Sequence, residues 1–415
     1  MLAYVLNRHG EPLMPCGPRK ARLLLKEGKA RVVLRAPFTI QLLHGSSGYR
    51  QPVFGGRDPG LTQGVTAVRQ DGGLLFQAEA KCRPDISEKL EERRGYRRSR
   101  RGRKTRYREP RFDNRARPGG WVPPSIRQLK HEHDKLCSLV ESILPITAWA
   151  AELNKFDFQK MENPGIQGVQ YQNGPRKGYF DVREYVLERD GYACVLCNGT
   201  GNRKLFRLRG KSNRPKNLVT LCGDCHERAS RGEIALPALF QSYRWAARVN
   251  VMRALWTFSE RLVPVSAEQA AGSREALGLQ KSHVNDALAV VHAAFGIVPK
   301  PGGAGLFRGR FVRAKNRQLH RANPAKGGKR PNASANRYLV SKSSVRIAKY
   351  DLVEYRSHEK HVVGYVNTLR TKGTVRIADA FGKQLAGGVS VGRLRKLQNA
   401  STLIWEVKRR FPAAP

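Results

Sequence analysis

Hydrophobic and polar positions divide the chain into short periodic stretches punctuated by Gly, Pro and Arg. Ala3 to Asn7 reads as a strand and Pro12-Leu-Met-Pro15-Cys16 as a turn. Arg19 to Glu27 reads as a basic amphipathic helix closed by Gly28, followed by strands at Ala30 to Arg35 and Thr39 to Leu43. Phe54-Gly-Gly-Arg-Asp58-Pro-Gly60 then leads into a β-branched run, and Gln63 to Val68 with Gly73 to Ala80 predicts two more strands. Ser125 is placed to cap a helix over Ile126 to Leu144 that Pro145 ends, and Ile146 to Leu153 reads as a strand. Asp181 to Asp190 and Lys281 to Phe295 read as helices, Leu236 to Leu262 as a helical stretch, and Val265 to Gly278 as a polar turn or short helix. Period-two alternation at Ser344 to Ile347, Asp351 to Tyr355, His361 to Thr368 and Thr374 to Ala378 predicts a small β-barrel over 338–410.

Charge changes this picture most. The 415 residues leave room for two or three domains, and 77 Lys and Arg against 33 Asp and Glu give a net charge of +44. Such self-repulsion is best relieved by a polyanion, so nucleic acid is the expected partner, bound in a steeply salt-dependent way. A ribosomal-type RNA-binding protein without catalysis is the plain alternative. No apolar run is long enough to span a bilayer, and the apolar start is too brief for a signal peptide. The densest charge lies at 85–108, where Arg93, Arg94, Arg97, Arg98, Arg100, Arg101, Arg103, Lys104 and Arg106 accumulate around Tyr96 and Tyr107. Leu90 gives that helix only a thin apolar anchor, so phosphates on several sides would stabilise it, and Arg suits their bidentate geometry. Residues 109–124 and 154–174 read as connectors, and 299–337, rich in Gly, Arg, Asn and Lys, as a segment that orders only on RNA.

Three separated segments carry acids. Asp58 ends a strand before a Gly turn, Glu152 ends Ala148-Trp-Ala-Ala-Glu152, and His283 and Asp286 open a helix. A ribonuclease-H-like sheet presents its carboxylates in this way. Phosphodiester hydrolysis with two Mg²⁺ ions needs such oxygen ligands on rigid elements, with the ions about 4 Å apart. His283, three residues before Asp286, shares its helical face and could orient the attacking water or ligate a metal. Of seven Cys, four form the pairs Cys194-Val-Leu-Cys197 and Cys222-Gly-Asp-Cys225, a spacing that makes a tetrahedral Zn²⁺ site. With Cys16, Cys82 and Cys137 scattered, a reduced, cytoplasmic compartment fits better than disulfides.

The order of these features resembles one family: a Pro12-Leu-Met-Pro15 unit, Asp58-Pro-Gly, an Arg-rich bridge, Glu152, Asn154-Lys-Phe-Asp-Phe-Gln-Lys-Met-Glu-Asn-Pro164, a CxxC…CxxC insert and His283-x-x-Asp286. The chain is similar to IscB, the transposon-encoded RNA-guided nuclease of prokaryotes related to the ancestor of the type II CRISPR effector. The resemblance implies an α/β fold with a RuvC (ribonuclease-H-like) core split in three. It implies an N-terminal unit at 1–50, RuvC parts at 51–84, 111–178 and 241–298, and a bridge helix at 85–110. A zinc-bound HNH-like ββα insert would occupy 179–240, and a β domain touching RNA and the target-adjacent motif 299–415. It also implies a guide omega RNA, a double-stranded DNA target with that motif, and a protein monomeric within its ribonucleoprotein, with sequence chosen by guide pairing. In HNH nucleases a catalytic His preceded by an acid or His lies between the first CxxC and the Asn-Leu-Val-Thr-Leu-Cys motif. Here Lys204-Leu-Phe-Arg-Leu-Arg-Gly-Lys-Ser-Asn-Arg-Pro215-Lys-Asn217 holds neither a His nor a carboxylate. Asn217 and His226 remain as remnants, which cannot replace the general base. The expectation is a nickase that cuts the displaced non-target strand through RuvC. Rival readings are a fully active double-strand nuclease, a guided RNA- and DNA-binding protein without cleavage, and an unguided resolvase.

Overall fold

The computed structural model describes residues 2–46, 48–101, 116, 118–154, 157, 159–160, 165–168, 170, 177–208, 213–234, 236, 244–256, 262–300, 303–314, 338–341, 344–358, 360–370 and 372–408. The chain divides into two compact units, one formed by Met1–Asn154 with Val251–Pro415 and one by Lys155–Asn250. Both are mixed α/β, and among the described residues no helix is long and apolar enough to cross a membrane.

The larger unit begins with β1 (Ala3–Leu6), β2 (Pro12–Cys16), α1 (Pro18–Lys26), β3 (Ala30–Arg35) and β4 (Phe38–Leu42), in a sheet of order β2-β1-β4-β3. Pro12 to Cys16, expected as a turn, is therefore a strand. The turn lies just before it, where Asn7 Oδ1 accepts from the backbone N–H groups of His9 and Glu11, each at 2.9 Å. Because β2 is an edge strand, it tolerates the two prolines.

The main sheet is built from β5 (Val53–Asp58), β6 (Thr62–Arg69) and β7 (Leu74–Lys81), an antiparallel meander. Next come α2 (Ile86–Arg101), α3 (Pro124–Glu141) and β8 (Ile146–Glu152), which lies parallel to β5. Ser125 does not cap α3. The helix starts two residues earlier, with Pro123 at the N-cap and Pro124 at the first position, where a missing N–H costs nothing. It stops at Glu141 rather than Leu144. No residue of α2 with a described side chain is buried, in line with its thin apolar anchor.

In the smaller unit, α4 (Val182–Arg189) precedes a hairpin of β9 (Lys204–Arg207) and β10 (Leu218–Leu221), and α5 (Gly223–Ser230) follows it. Asp181 caps α4 by accepting from Glu184 N at 2.8 Å. Helix α6 (Arg244–Ala254) lies within the expected helical stretch 236–262; the chain rejoins the larger unit at Val251, and there Leu262 opens β11 (Leu262–Val265), parallel to β8. Then come α7 (Ala267–Ala276), opened by a Ser266–Gln269 capping box, and α8 (His283–Phe295), capped by Ser282.

The segment expected to order only on RNA contains β12 (Leu306–Phe311), parallel to β7 in the main sheet. The five-stranded sheet that follows uses β15 (Leu352–Arg356), β16 (His361–Leu369), β17 (Thr374–Ala378), β18 (Gln384–Ser390) and β19 (Leu394–Gln398), in order β18-β17-β16-β15-β19. Two short strands, β13 (Tyr338–Val340) and β14 (Arg346–Ala348), precede it and pair with each other. The last strand, β20 (Leu403–Lys408), leaves the expected barrel and pairs with β12, so the main sheet runs β11-β8-β5-β6-β7-β12-β20. Long-range pairing decides both strands; their local composition, set among Gly, Arg and Lys, conceals them.

Helices cover both faces of this sheet. Leu136, Cys137 and Val140 of α3 pack with Val65, Phe76, Leu75 and Trp149. On the opposite face Leu288 and Val291 of α8 pack with Val68 and Leu74, and Val290 packs with Ala150 and Val265. Helix α8 sits unusually low, because Gly56 and Gly64 open the sheet beneath it. A Cβ at Gly64 would strike the His283 carbonyl, and one at Gly56 the Ala287 carbonyl. Gly64→Ala should therefore destabilise the protein by about 1–3 kcal/mol in urea unfolding. Gly272→Ala, in open space on α7, should leave stability unchanged or raise it by up to about 1 kcal/mol.

Candidate active site

Adjacent parallel strands β5 and β8 end at Asp58 and Glu152, and Arg57 pairs with Ala151 in their register. Helix α8 enters over these ends, its first turn carrying His283 and Asp286. The structure thus brings the four sequence-selected residues to the C-terminal ends of two interior strands, where Asp58 and Asp286 both act on Glu152. His283 Nδ1 lies 2.6 Å from Asp58 Oδ2. The Asp58 carboxylate raises the His283 pKa through this hydrogen bond, against the opposing effect of burial. Burial pushes the Glu152 pKa up. Arg253 pulls it back down, and the nearby charges of Asp58 and Asp286 add to the rise.

Two arginines complete the arrangement, and neither stands out in the sequence. Arg274 on α7 donates through Nη1 to Asp286 Oδ1 at 2.7 Å. Arg253 on α6, its side chain 4% exposed, lies 3.5 Å from Glu152 Oε1. It also donates to the Pro59 carbonyl at 2.9 Å and to the Asn154 carbonyl. One buried guanidinium thereby ties together the chain just after Asp58 and the chain just after Glu152. Burial lowers its own pKa while Glu152 and Asp58 raise it. In the sequence Arg253 is one of three arginines on this helix, with Arg244 and Arg248, and nothing in its local pattern sets it apart.

The turn after Asp58 is fixed from behind as well. His133 Nε2 on α3 sits 2.9 Å from the Gly60 carbonyl, and Cys82 N donates to the Leu61 carbonyl. Burial, aided by Arg57, holds His133 down at about 3, so the ring is neutral at ordinary pH and its N–H serves the carbonyl. Arg57 is buried with its guanidinium 4.0 Å from the centroid of the Trp256 ring and 5.9 Å from that of Trp149, a cation held between indoles.

The smaller unit holds the tightest ligand group. Among the described residues, Cys194, Cys197, Cys222 and Cys225 alone form a set of three or more whose ligand atoms all lie within 4.8 Å of one another, and they could hold a zinc ion. Burial pushes the Cys194 thiol up, but backbone N–H groups, Cys222 first, bring it down to about 6. Cys225 is instead pushed up to about 12, chiefly by its hydrogen bond with Cys222, so it is the close set of four sulfurs, rather than the acidity of one thiol, that fits a thiolate-bound metal. Val219 and Leu221 of β10 pack with Cys194 and Cys225, so the cage and the hairpin share one core. On β9, Lys204 and Arg207 are exposed while Phe206 turns toward that core. His226, on α5, meets the Phe206 ring edge-on at 5.4 Å, and Asn217 is buried before β10.

Arg93, Arg94, Arg97 and Arg98 are exposed along α2, and Arg101 is half-buried at its end. The side chain of Arg100 lies outside the described residues, as do Arg103, Lys104 and Arg106. A family model described as RRXRR protein matches residues 3–174, a region typical of IscB-like nucleases. The pattern Arg97-Arg-Ser-Arg-Arg101 falls within that match. No curated protein matches the chain.

Two outcomes test this geometry. Arg253→Met should cost roughly 3–5 kcal/mol in urea unfolding, because it leaves Glu152 without its buried cation, whereas Arg253→Lys should recover part of the loss. Elemental analysis of the purified protein should find about one zinc per chain, lost in Cys225→Ser together with protease resistance of residues 177–236.

Proposed function

We propose that the chain is an omega-RNA-guided DNA endonuclease that nicks the displaced non-target strand. What carries this reading is the approach of Asp58, Glu152, Asp286 and His283 to one another at the C-terminal ends of β5 and β8. The strand order β7-β6-β5-β8-β11, with β6 alone antiparallel to its neighbours, supports a ribonuclease-H-like reading of the sheet. RuvC parts at 51–84, 111–178 and 241–298 would share this sheet, to which β12 and β20 are added. The match of residues 3–174, ending beyond Glu152, favours the same family.

The donor set fits a divalent cation. Three part-buried carboxylates lie close enough to raise the charging cost of Glu152, a cost that a cation relieves. They do not form a single tight cage like that of the cysteines, which is consistent with ions held by subsets of them. Asp58, Glu152 and Asp286 would hold two Mg²⁺ ions, which supply charge neutralisation at the scissile phosphate and an activated water. Arg253 keeps the two strand ends at fixed spacing. His283, 44% exposed and tied through Nδ1 to Asp58, has Nε2 as the nitrogen that can take a proton from water. Its ring is oriented by the carboxylate in the manner of a general base.

The zinc unit, in this reading, folds without cutting. Strand β9 offers Lys204, Leu205, Phe206 and Arg207 where a proton acceptor would be required, and His226 is packed on Phe206. The exposed arginines of α2 suit the guide RNA and its heteroduplex with DNA. A guided binder without cleavage is the rival. The test is plasmid cleavage with each strand labelled, using the RNA that co-purifies with the protein. Nicking of the non-target strand alone, abolished by Asp58→Ala with guided binding retained, is expected. Guide-complementary strand cleavage that survives Asp58→Ala would refute the nickase, and wild-type binding with no cut in Mg²⁺ would favour the rival.

A further inference from the structure

The five-stranded sheet contains a charge cluster that the reaction above does not use. Glu354 on β15 is buried, its side chain 7% exposed. Its Oε1 accepts from Arg356 Nε at 3.0 Å and Nη2 at 2.8 Å, and lies 2.8 Å from His361 Nε2. Its Oε2 lies 2.7 Å from Arg395 Nε on β19. Register puts all four on one sheet face: Glu354 stands opposite Arg395, and Arg356 opposite His361 on β16. The carboxylate is buried while Arg356, Arg395 and His361 are 69%, 67% and 56% exposed. The His361 hydrogen bond, followed by that of Arg356, holds Glu354 down at about 2, so the strut stays charged.

One carboxylate cannot neutralise two guanidiniums, so the cluster retains positive charge toward solvent. Arg395 spends only Nε on Glu354, and Arg356 keeps Nη1, so terminal N–H donors remain on both. Exposed arginines ordinarily lose rotamer freedom when they bind an anion; here a buried acid has already fixed them. Asp351 does the same for a neighbour, accepting from Lys396 Nζ at 2.8 Å while 1% exposed.

We infer that Glu354, Arg356, His361 and Arg395 form a preorganised phosphate-binding subsite for a nucleic-acid backbone, in which the buried glutamate is a strut rather than a ligand. This deepens the nucleic-acid reading above and rests on it, but not on cleavage. The test is fluorescence anisotropy of the full chain with a labelled RNA and, in a second arm, a labelled DNA duplex, over a potassium chloride series. Arg356→Gln/Arg395→Gln should weaken binding about tenfold and make the salt slope shallower by about 1–2 in the arm that uses the subsite.

Glu354→Gln supplies the sign. It removes a negative charge, so charge alone requires tighter binding, whereas loss of the strut requires binding weaker by about threefold or more. Glu354→Gln binding as tightly as the parent or tighter, or an unchanged salt slope in both arms for the arginine pair, overturns the inference. If Glu354→Gln fails to melt cooperatively, the arginine pair decides alone. Asp58→Ala binding in the same assay separates this result from the nuclease reading, since that variant leaves the cluster intact.

Discussion

Everything at these strand ends depends on compensating three carboxylates brought close together. Each carboxylate raises the cost of charging its neighbour, as Asp58 and Asp286 do for the partly buried Glu152. The structure meets this cost with one partner per acid: the His283 ring for Asp58, the Arg253 cation for Glu152 and the Arg274 cation for Asp286. The three partners come from different helices, so the arrangement exists only when α6, α7 and α8 have all docked. Arg274 and His283 are 19% and 44% exposed, whereas Arg253 is enclosed and also holds backbone carbonyls, which makes it the cation built into the fold.

The same site requires α8 to lie very close to the strands. Gly64 and Gly56 remove the side chains that would otherwise lift the helix, and Gly55 leaves room on the other face for the Trp149 ring. A helix raised by one methyl layer would carry His283 away from its 2.6 Å contact with Asp58. Glycine, which costs strand stability, is placed where the site demands approach.

Much of this was legible in the sequence, for a physical reason. Strands β5 to β8 alternate or run apolar because they are buried on one or both faces, and each acid marks the point where its strand leaves the core. The four cysteines are legible because metal geometry fixes their spacing. What was hidden is whatever depends on distant pairing. Leu306–Phe311 and Leu403–Lys408 pair with each other and complete the sheet beyond β7, yet their flanks resemble a solvated tail. Asn7 makes the turn that Pro12 and Pro15 seemed to announce. Arg253 reads as an ordinary surface cation until two separate stretches of backbone, after Asp58 and after Glu152, close around it.

The excess of cations is ordered by the few acids present. Glu354 gathers Arg356, His361 and Arg395; Asp351 holds Lys396; Asp190 binds Arg189 while accepting from Thr220 N on β10. In each case the acid is the buried partner and the cation the more exposed one. Burial of a carboxylate costs several kcal/mol unless it is fully hydrogen-bonded, so these acids are expensive as mere neutralisers. Their placement makes sense if the cations must stand in fixed positions at the surface. A chain of net charge +44 would bind polyanions with its cations in any arrangement. Buried carboxylate struts add geometry to that attraction, and geometry is what a protein needs when the path of the bound strand, as well as its affinity, is to be determined.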